Sequence, residues 1–155
     1  MSKYFSLIFL SLIFIGCGQK NPYDTVLVEG IVRLDGVPTA GININFTPIG
    51  NNGNSAGGLT DSSGKYRLTT GGAPVGSGVI AGEYNVTFSK IEIEGSNLNY
   101  EEHQKQFANR QPKTTYIVPK KYEDYLQSGI SPVKVEKGKK NVFDFDLSTK
   151  ITVQE

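Results

Sequence analysis

The chain has 155 residues, enough for one domain with a hydrophobic core and too few for two comfortable ones. Its 16 basic and 15 acidic side chains nearly cancel, which excludes the overall positive field that nucleic-acid or anionic-lipid binding would require. The 18 glycines and seven prolines, together with eight tyrosines and eight phenylalanines, favour short strands joined by tight turns.

The first 16 residues predict a bacterial lipoprotein signal peptide. Lys3 supplies a positive charge, and residues 4–15 form an apolar run broken only by Ser6 and Ser11. About 12 apolar residues are too few to cross a bilayer of roughly 30 Å. Gly16 and Cys17 at the end of the run resemble a lipobox, although Phe14 stands where leucine is usual. We expect Cys17 to be lipidated; the alternative is an unmodified cysteine behind a signal peptide.

Processing before Cys17 would leave a polar tether over residues 17–24 and a domain over residues 25–150. Cys17 is the only cysteine, so its acylation would leave no thiol for a disulfide. Burial and strand pairing would then stabilise the domain.

Alternating residues predict most of the strands. Residues 26–34 are rich in β-branched side chains, and the Asp35-Gly36 pair that follows is typical of a two-residue hairpin turn. In residues 41–47, Ile42, Ile44 and Phe46 alternate with polar side chains, so one face is expected to pack.

The later strands follow the same pattern. A turn over residues 61–64 precedes Tyr66 and Leu68, and residues 79–90 alternate through three inward side chains. The last two segments, residues 133–135 and 142–147, flank a loop and predict a second hairpin. The side chains expected in the core include Phe46, Tyr84, Val86, Phe88, Phe143, Phe145 and Leu147.

Residues 94–115 interrupt the strand pattern and predict a short helical insertion. Within them, residues 99–109 have Asn99 as a candidate N-cap and Glu102 three positions later. Tyr100, His103 and Phe107 would share one helical face, and Pro112 lies beyond the helix. A further helical turn is expected within residues 120–126.

The order of these short motifs resembles a known family. The chain is similar to carboxypeptidase-regulatory-like domains of the transthyretin-like type in four short segments, residues 29–38, Thr60-Asp61, Gly64-Lys65-Tyr66 and residues 82–86. Residues 118–122 and the final strands resemble the tail of small bacterial lipoproteins built on that domain. The resemblance implies an all-β fold, a single antiparallel transthyretin-like or Ig-like sandwich of seven strands or so. It also implies an exported, membrane-anchored protein without catalytic activity.

Catalytic and metal-binding chemistry has few candidate residues. His103 is the only histidine, whereas hydrolytic relatives of the transthyretin fold use several, so we expect neither a hydrolase nor a zinc site. We interpret the carboxylates as solvated surface groups rather than calcium ligands; they are Glu101, Glu102, Glu123, Asp124, Asp144 and Asp146. No cofactor is expected.

Aromatic residues gather in and after the insertion, and they are the predicted partner contacts: Tyr100, Phe107, Tyr116, Tyr122 and Tyr125. Tyrosine buries a large area at low entropic cost, which suits a docking patch for protein or glycan. The alternative is that they cover an open edge of the sandwich. The sequence therefore predicts a non-enzymatic, lipid-anchored structural or interaction module of the cell envelope, facing the periplasm or the exterior. The second hypothesis is a carbohydrate-binding module, which the absence of tryptophan disfavours.

Overall fold

The computed structural model describes residues 23–50 and 53–150, which form two packed five-stranded β-sheets, two separate two-stranded β-ribbons and one α-helix. The predicted signal peptide, Cys17 and most of the predicted tether lie outside the described residues. The strands, in chain order, are β1 Thr25–Val26, β2 Val28–Leu34, β3 Val37–Pro38, β4 Asn43–Pro48, β5 Ala56–Leu59, β6 Lys65–Arg67, β7 Thr69–Thr70, β8 Val79–Ile80, β9 Gly82–Ser89, β10 Ile91–Ile93, β11 Thr114–Tyr116, β12 Val133–Val135, β13 Asn141–Val142 and β14 Phe145–Leu147. The helix α1 is Tyr100–Phe107, and a 3₁₀ turn covers Lys120–Glu123.

The first sheet has the order β12-β9-β4-β5-β7, and every pairing in it is antiparallel. Its centre is the long ladder between β4 and β9, which runs from Asn43 opposite Ser89 to Pro48 opposite Tyr84. The predicted alternation is confirmed, because Ile44 and Phe46 are fully buried while Asn43 is exposed. One face of this sheet therefore belongs to the core.

The second sheet is built around β2. This strand pairs antiparallel with β3 and β6 and parallel with β13 and β14. The turn between β2 and β3 is the predicted Asp35-Gly36 hairpin, and both residues have positive φ, 51° and 81°. Positive φ at both positions is the requirement of a type I′ turn, which explains why this pair of residues occupies it.

The predicted hairpin between residues 133–135 and 142–147 is wrong. Strand β12 pairs with β9 in the first sheet, whereas β13 and β14 run parallel to β2 in the second sheet. The intervening loop crosses from one sheet to the other. The buried side chain of Asn141 closes this loop, since it accepts a hydrogen bond from the Glu136 amide and donates to the Glu136 and Lys139 carbonyls.

The core between the sheets is an aromatic cluster. The ring of Phe145 lies 4.9 Å from that of Phe88 in an edge-to-face arrangement, and Phe46 lies 5.9 Å from Tyr84. Burial confirms six of the seven predicted core positions, Phe46, Tyr84, Val86, Phe88, Phe145 and Leu147. Phe143, also predicted there, is only half-buried and packs against the edge of the cluster. The all-β fold with one short helix, predicted from the sequence, is therefore confirmed.

The strands of the sandwich run between two ends, which we call proximal and distal according to their distance from Tyr23. The proximal end holds the first described residue, Tyr23, and the loops of residues 71–78 and 136–140, because Thr25 pairs with Ile80 and Val28 with Asn141. The distal end holds the turn of residues 35–36. It also holds Lys90, whose ammonium donates to the Ala40 carbonyl.

An arm leaves the distal end. Strand β9 continues past Lys90 into β10, and β10 pairs with β11 outside both main sheets. Helix α1 lies between these two short strands, so residues 91–116 form one excursion, which we call the arm. The predicted capping box is confirmed: the Asn99 side chain accepts from the Glu102 amide at 3.0 Å, and the Glu102 carboxylate accepts from the Asn99 amide at 3.2 Å.

Candidate interaction surface

The predicted contact residues lie in different environments. Tyr100 is 78% exposed, Tyr116 and Tyr125 are each 46% exposed, and Phe107 is half-buried. Tyr122 is only 5% exposed, so its prediction as a contact residue is wrong. Its hydroxyl accepts a hydrogen bond from the Ser148 amide at 2.9 Å, so it ties the 3₁₀ turn to the chain after β14.

The base of the arm carries an exposed apolar face. Ile91 lies opposite Tyr116 in the β10–β11 ladder, and Ile93 lies two residues further along the same face. All three side chains are between 44% and 46% exposed. Neither isoleucine is among the contact residues predicted from the sequence, although their alternation with Glu92 and Glu94 indicates a strand with one apolar and one charged face. We call Ile91, Ile93 and Tyr116 the ribbon face.

An ion pair closes the arm on itself. The two Glu94 carboxylate oxygens accept hydrogen bonds from the Arg110 guanidinium at 2.7 and 2.8 Å, and the Lys113 amide donates to Glu94 at 3.2 Å. These bonds, with Arg110 contributing most, lower the pKa of Glu94 to about 2. The carboxylate therefore remains ionised well into acid, and the two strands of the arm remain joined beyond their ladder.

Phe107 is the internal packing residue of the arm. The Arg110 guanidinium lies 4.8 Å from its ring centroid, and the His103 ring lies 4.6 Å away. Gly95 has a φ of +75°, and a Cβ there would lie 2.5 Å from the Phe107 ring. The ring thus packs on a glycine backbone, and no residue of α1 is buried. Phe107 holds the arm together, while Tyr100 at the start of the helix is turned to solvent.

The strand carboxylates near the end of the chain have structural partners. Asp144 accepts a hydrogen bond from the Ile31 amide at 2.9 Å, where the ladder between β2 and the last strands is interrupted. Asp144 and Asp146 each lie 3.7 Å from the Arg33 guanidinium. Their carboxylates are thus engaged by an amide and by a shared cation.

The turn and helix carboxylates are engaged in the same way. Asp61 accepts bonds from the Ser63 amide and hydroxyl and from the Lys65 amide, which confirms the predicted turn; Ser63 is the main cause of its lowered pKa. Asp124 accepts from the Leu126 amide and the Gln127 side chain. Within residues 23–50 and 53–150, no three His, Cys, Asp or Glu side chains come together as metal ligands would.

A surface cleft of about 410 Å³ crosses β2, and two of its lining side chains, Arg67 and Tyr66, are bonded to neighbouring groups of the fold. Arg67 contacts Glu29 across the β2–β6 ladder at 3.3 Å. The Tyr66 hydroxyl donates to the Phe143 carbonyl at 2.7 Å, and burial, with a smaller effect of Asp144, raises the pKa of this phenol. A tyrosine that is buried and donates to a backbone carbonyl is poorly placed to act as a base.

No protein-family model matches the sequence, and searches of curated proteins and of solved structures also return no match. In the part of the chain that the structure describes, no helix has both the length and the apolar character needed to cross a bilayer.

Proposed function

We propose that this protein is a lipid-anchored, non-catalytic β-sandwich of the bacterial cell envelope that presents its arm to a protein partner. The observation that carries the proposal is the placement of the two ends: the chain enters the sandwich at the proximal end, and the arm leaves at the distal end. An acyl group on Cys17 would hold the proximal end at the membrane. The same anchor would direct the arm away from it.

The chemistry of the ribbon face supports a protein partner. Two isoleucines and one tyrosine offer aliphatic and aromatic surface around half exposed, while Glu92 and Glu94 alternate with the isoleucines on the other side of the ribbon. Aromatic and apolar side chains are typical of the centre of a protein interface, where charged residues are depleted. Within the described residues, Tyr100, Tyr116 and Tyr125 make no ring contact with one another, so they do not form the continuous aromatic platform that would favour a glycan.

A non-catalytic role agrees with the bonding of the reactive groups. Each carboxylate with a lowered pKa is held by amides, hydroxyls or cations of the fold, as Asp61 and Glu94 are. The lone histidine packs on an aromatic ring of the arm. These contacts position backbone and side chains and leave no base paired with a nucleophile among them.

The anchor is tested at Cys17. Each buried acyl CH₂ contributes about 0.8 kcal/mol, so a doubly or triply acylated cysteine holds a protein to a membrane firmly. We expect the wild-type protein to enter the detergent phase with the mass of a lipidated, cleaved chain, and Cys17→Ala to remain uncleaved or enter the aqueous phase. A wild-type protein in the aqueous phase with a free thiol would contradict the anchor.

The contact surface is tested by site-specific crosslinking in intact cells. A photoreactive residue at Ile93 probes the ribbon face, and one at Val142 is the matched control, because both side chains are 44% exposed and Val142 lies on the sandwich. We expect a discrete crosslinked protein from position 93 and none from position 142. Equal crosslinking from both positions, or crosslinking from Val142 alone, would place the contact elsewhere.

A further inference from the structure

Two loops flank the start of the sandwich at its proximal end. A Cβ on Gly72 would lie 3.2 Å from the Tyr23 hydroxyl, and the Thr25 hydroxyl donates to the Ser77 carbonyl, so the loop of residues 71–78 lies beside the incoming chain. On the other side, the Lys137 ammonium contacts the Asp24 carboxylate at 2.6 Å. Both loops therefore lie close to any surface to which the chain before Tyr23 is attached.

The first loop presents an apolar tip. Val75 is 98% exposed, the highest value among the exposed large apolar side chains of the described residues. It follows Pro74 and precedes Gly76, which has a φ of +75°. A single exposed valine is ordinary on a protein surface. Its position beside the predicted anchor is what gives this valine significance.

The second loop is basic. Residues 136–140 contain three lysines and one glutamate, a net charge of +2, whereas the arm contains four glutamates and three basic residues, a net charge of −1. Lys137 and Lys139 pair with Asp24 and Glu136, but these are exposed pairs that contribute little and exchange readily. Lys140 is exposed and has no ion pair within residues 23–50 and 53–150.

This distribution revises the conclusion drawn from total charge. The near balance of charges over the whole chain argues against binding to anionic lipid, yet the charge is unevenly placed: the proximal loop is positive and the distal arm is negative. Surface attraction acts over about 10 Å or less at physiological salt. The local charge of the face nearest the membrane therefore decides the interaction, rather than the total.

The covalent distance from the predicted anchor is short. Five residues lie between Cys17 and Tyr23, and the six steps from one Cα to the next span at most about 20 Å when the chain is fully extended. An acyl group on Cys17 would therefore keep both proximal loops within reach of the headgroups, at a high effective concentration.

We propose that the proximal end, through Val75 and the lysine loop of residues 136–140, lies against anionic lipid headgroups and so sets the orientation of the sandwich. This inference rests on the proposed lipid anchor and adds an orientation to it. The lysines contact headgroup phosphates, while Val75 enters the interfacial region. The arm, acidic and at the opposite end, then points away from the bilayer.

The test uses the full-length acylated protein in vesicles. Because Cys17 is the only cysteine and its acylation would remove that thiol, a cysteine introduced by Val75→Cys is the sole site for an environment-sensitive fluorophore. The matched control is Val37→Cys, which replaces an exposed valine, 64% accessible, at the distal end. Vesicles contain phosphatidylcholine alone or with phosphatidylglycerol, and a lipid-borne quencher reports contact.

We expect several-fold stronger quenching at position 75 than at position 37, and only when phosphatidylglycerol is present. High salt should remove the difference. The double substitution Lys139→Glu with Lys140→Glu should lower the population of molecules in which position 75 contacts the membrane, by about fivefold or more for each lysine changed. The double substitution Lys105→Glu with Lys113→Glu in the arm should leave this population unchanged. Equal quenching at both positions in a protein that floats with the vesicles and carries the lipid mass would overturn the orientation. Failure to float, with a free thiol at Cys17, would instead overturn the anchor.

Discussion

In the sandwich, side chains far apart in sequence meet in one buried cluster, as Phe46, Phe88 and Phe145 do. In the arm, the helix has no buried residue, and the closing contacts are a capping box, one ion pair and one ring packed on a glycine. Aromatic burial is worth several kcal/mol for each ring, whereas exposed polar contacts are worth about 1 kcal/mol or less. The stability of the fold and the exposed contact surface therefore reside in different parts of the chain.

The largest effect should come from the core. Phe145→Ala removes a ring that contacts Phe88, Phe46 and Tyr66, and it should lower the free energy of unfolding by about 3–5 kcal/mol. Denaturant melts measure it. The control Asp146→Asn changes a carboxylate 71% exposed on the same strand and should cost about 0.5 kcal/mol or less. The reverse ranking would mean that the faces of β14 are exchanged.

A close backbone crossing should give the next effect. A Cβ on Gly30 would lie 1.9 Å from the Phe143 carbonyl oxygen, so Gly30→Ala forces the last strands away from β2 and should cost about 1–3 kcal/mol. Gly57→Ala is the control, since its Cβ would meet no atom closer than 3.4 Å. If the two variants melted alike, the contact between Phe143 and β2 would be looser than the structure shows.

The parts of the fold that could be predicted from sequence depend on local geometry. Asp35-Gly36 specifies its turn because both positions need positive φ, and Asn99 with Glu102 specifies the helix start because their bonds span three residues. Ile42 and Phe46 show their face by alternation alone. Each of these signals is contained within a few consecutive residues.

The parts that could not be predicted depend on partners distant in sequence. Alternation shows which face of a strand is buried but not which strand lies beside it, so the parallel pairing of β14 with β2 was missed. Tyr122 lies in an irregular segment without periodicity, and the hydrogen bond of its hydroxyl comes from the Ser148 amide, 26 residues later. The ribbon face was missed because β10 has only three residues.

A smaller effect concerns the acid stability of the arm. Hydrogen bonds from Arg110 lower the pKa of Glu94 to about 2 from an ordinary value of 4.5. A lowered pKa contributes stability that is present above the ordinary value and is lost as the pH falls toward about 2. The ion pair should therefore persist near pH 4, and Arg110→Gln should raise the pKa of Glu94 toward its ordinary range.

Carbon-detected NMR titration of the Glu94 carboxyl group measures this shift. Arg110→Gln, which removes the guanidinium donors to Glu94, provides the matched comparison. An unshifted Glu94 in the wild-type protein would show that the arm is open in solution.

The role of the arm is tested most directly by replacing residues 94–111 with a short Gly/Ser linker in the full-length protein, followed by a thermal melt and by crosslinking from position 93. We expect a melting temperature within a few degrees of wild type, because loop closure depends weakly on length, by about 0.6 kcal/mol for each doubling. We also expect the crosslinked partner to be lost, because the replacement removes the Glu94–Arg110 ion pair that joins the two strands carrying the ribbon face. Collapse of the fold would show that the arm covers an edge of the sandwich, and survival of both the fold and the crosslink would show that residues 94–111 take no part in holding the partner.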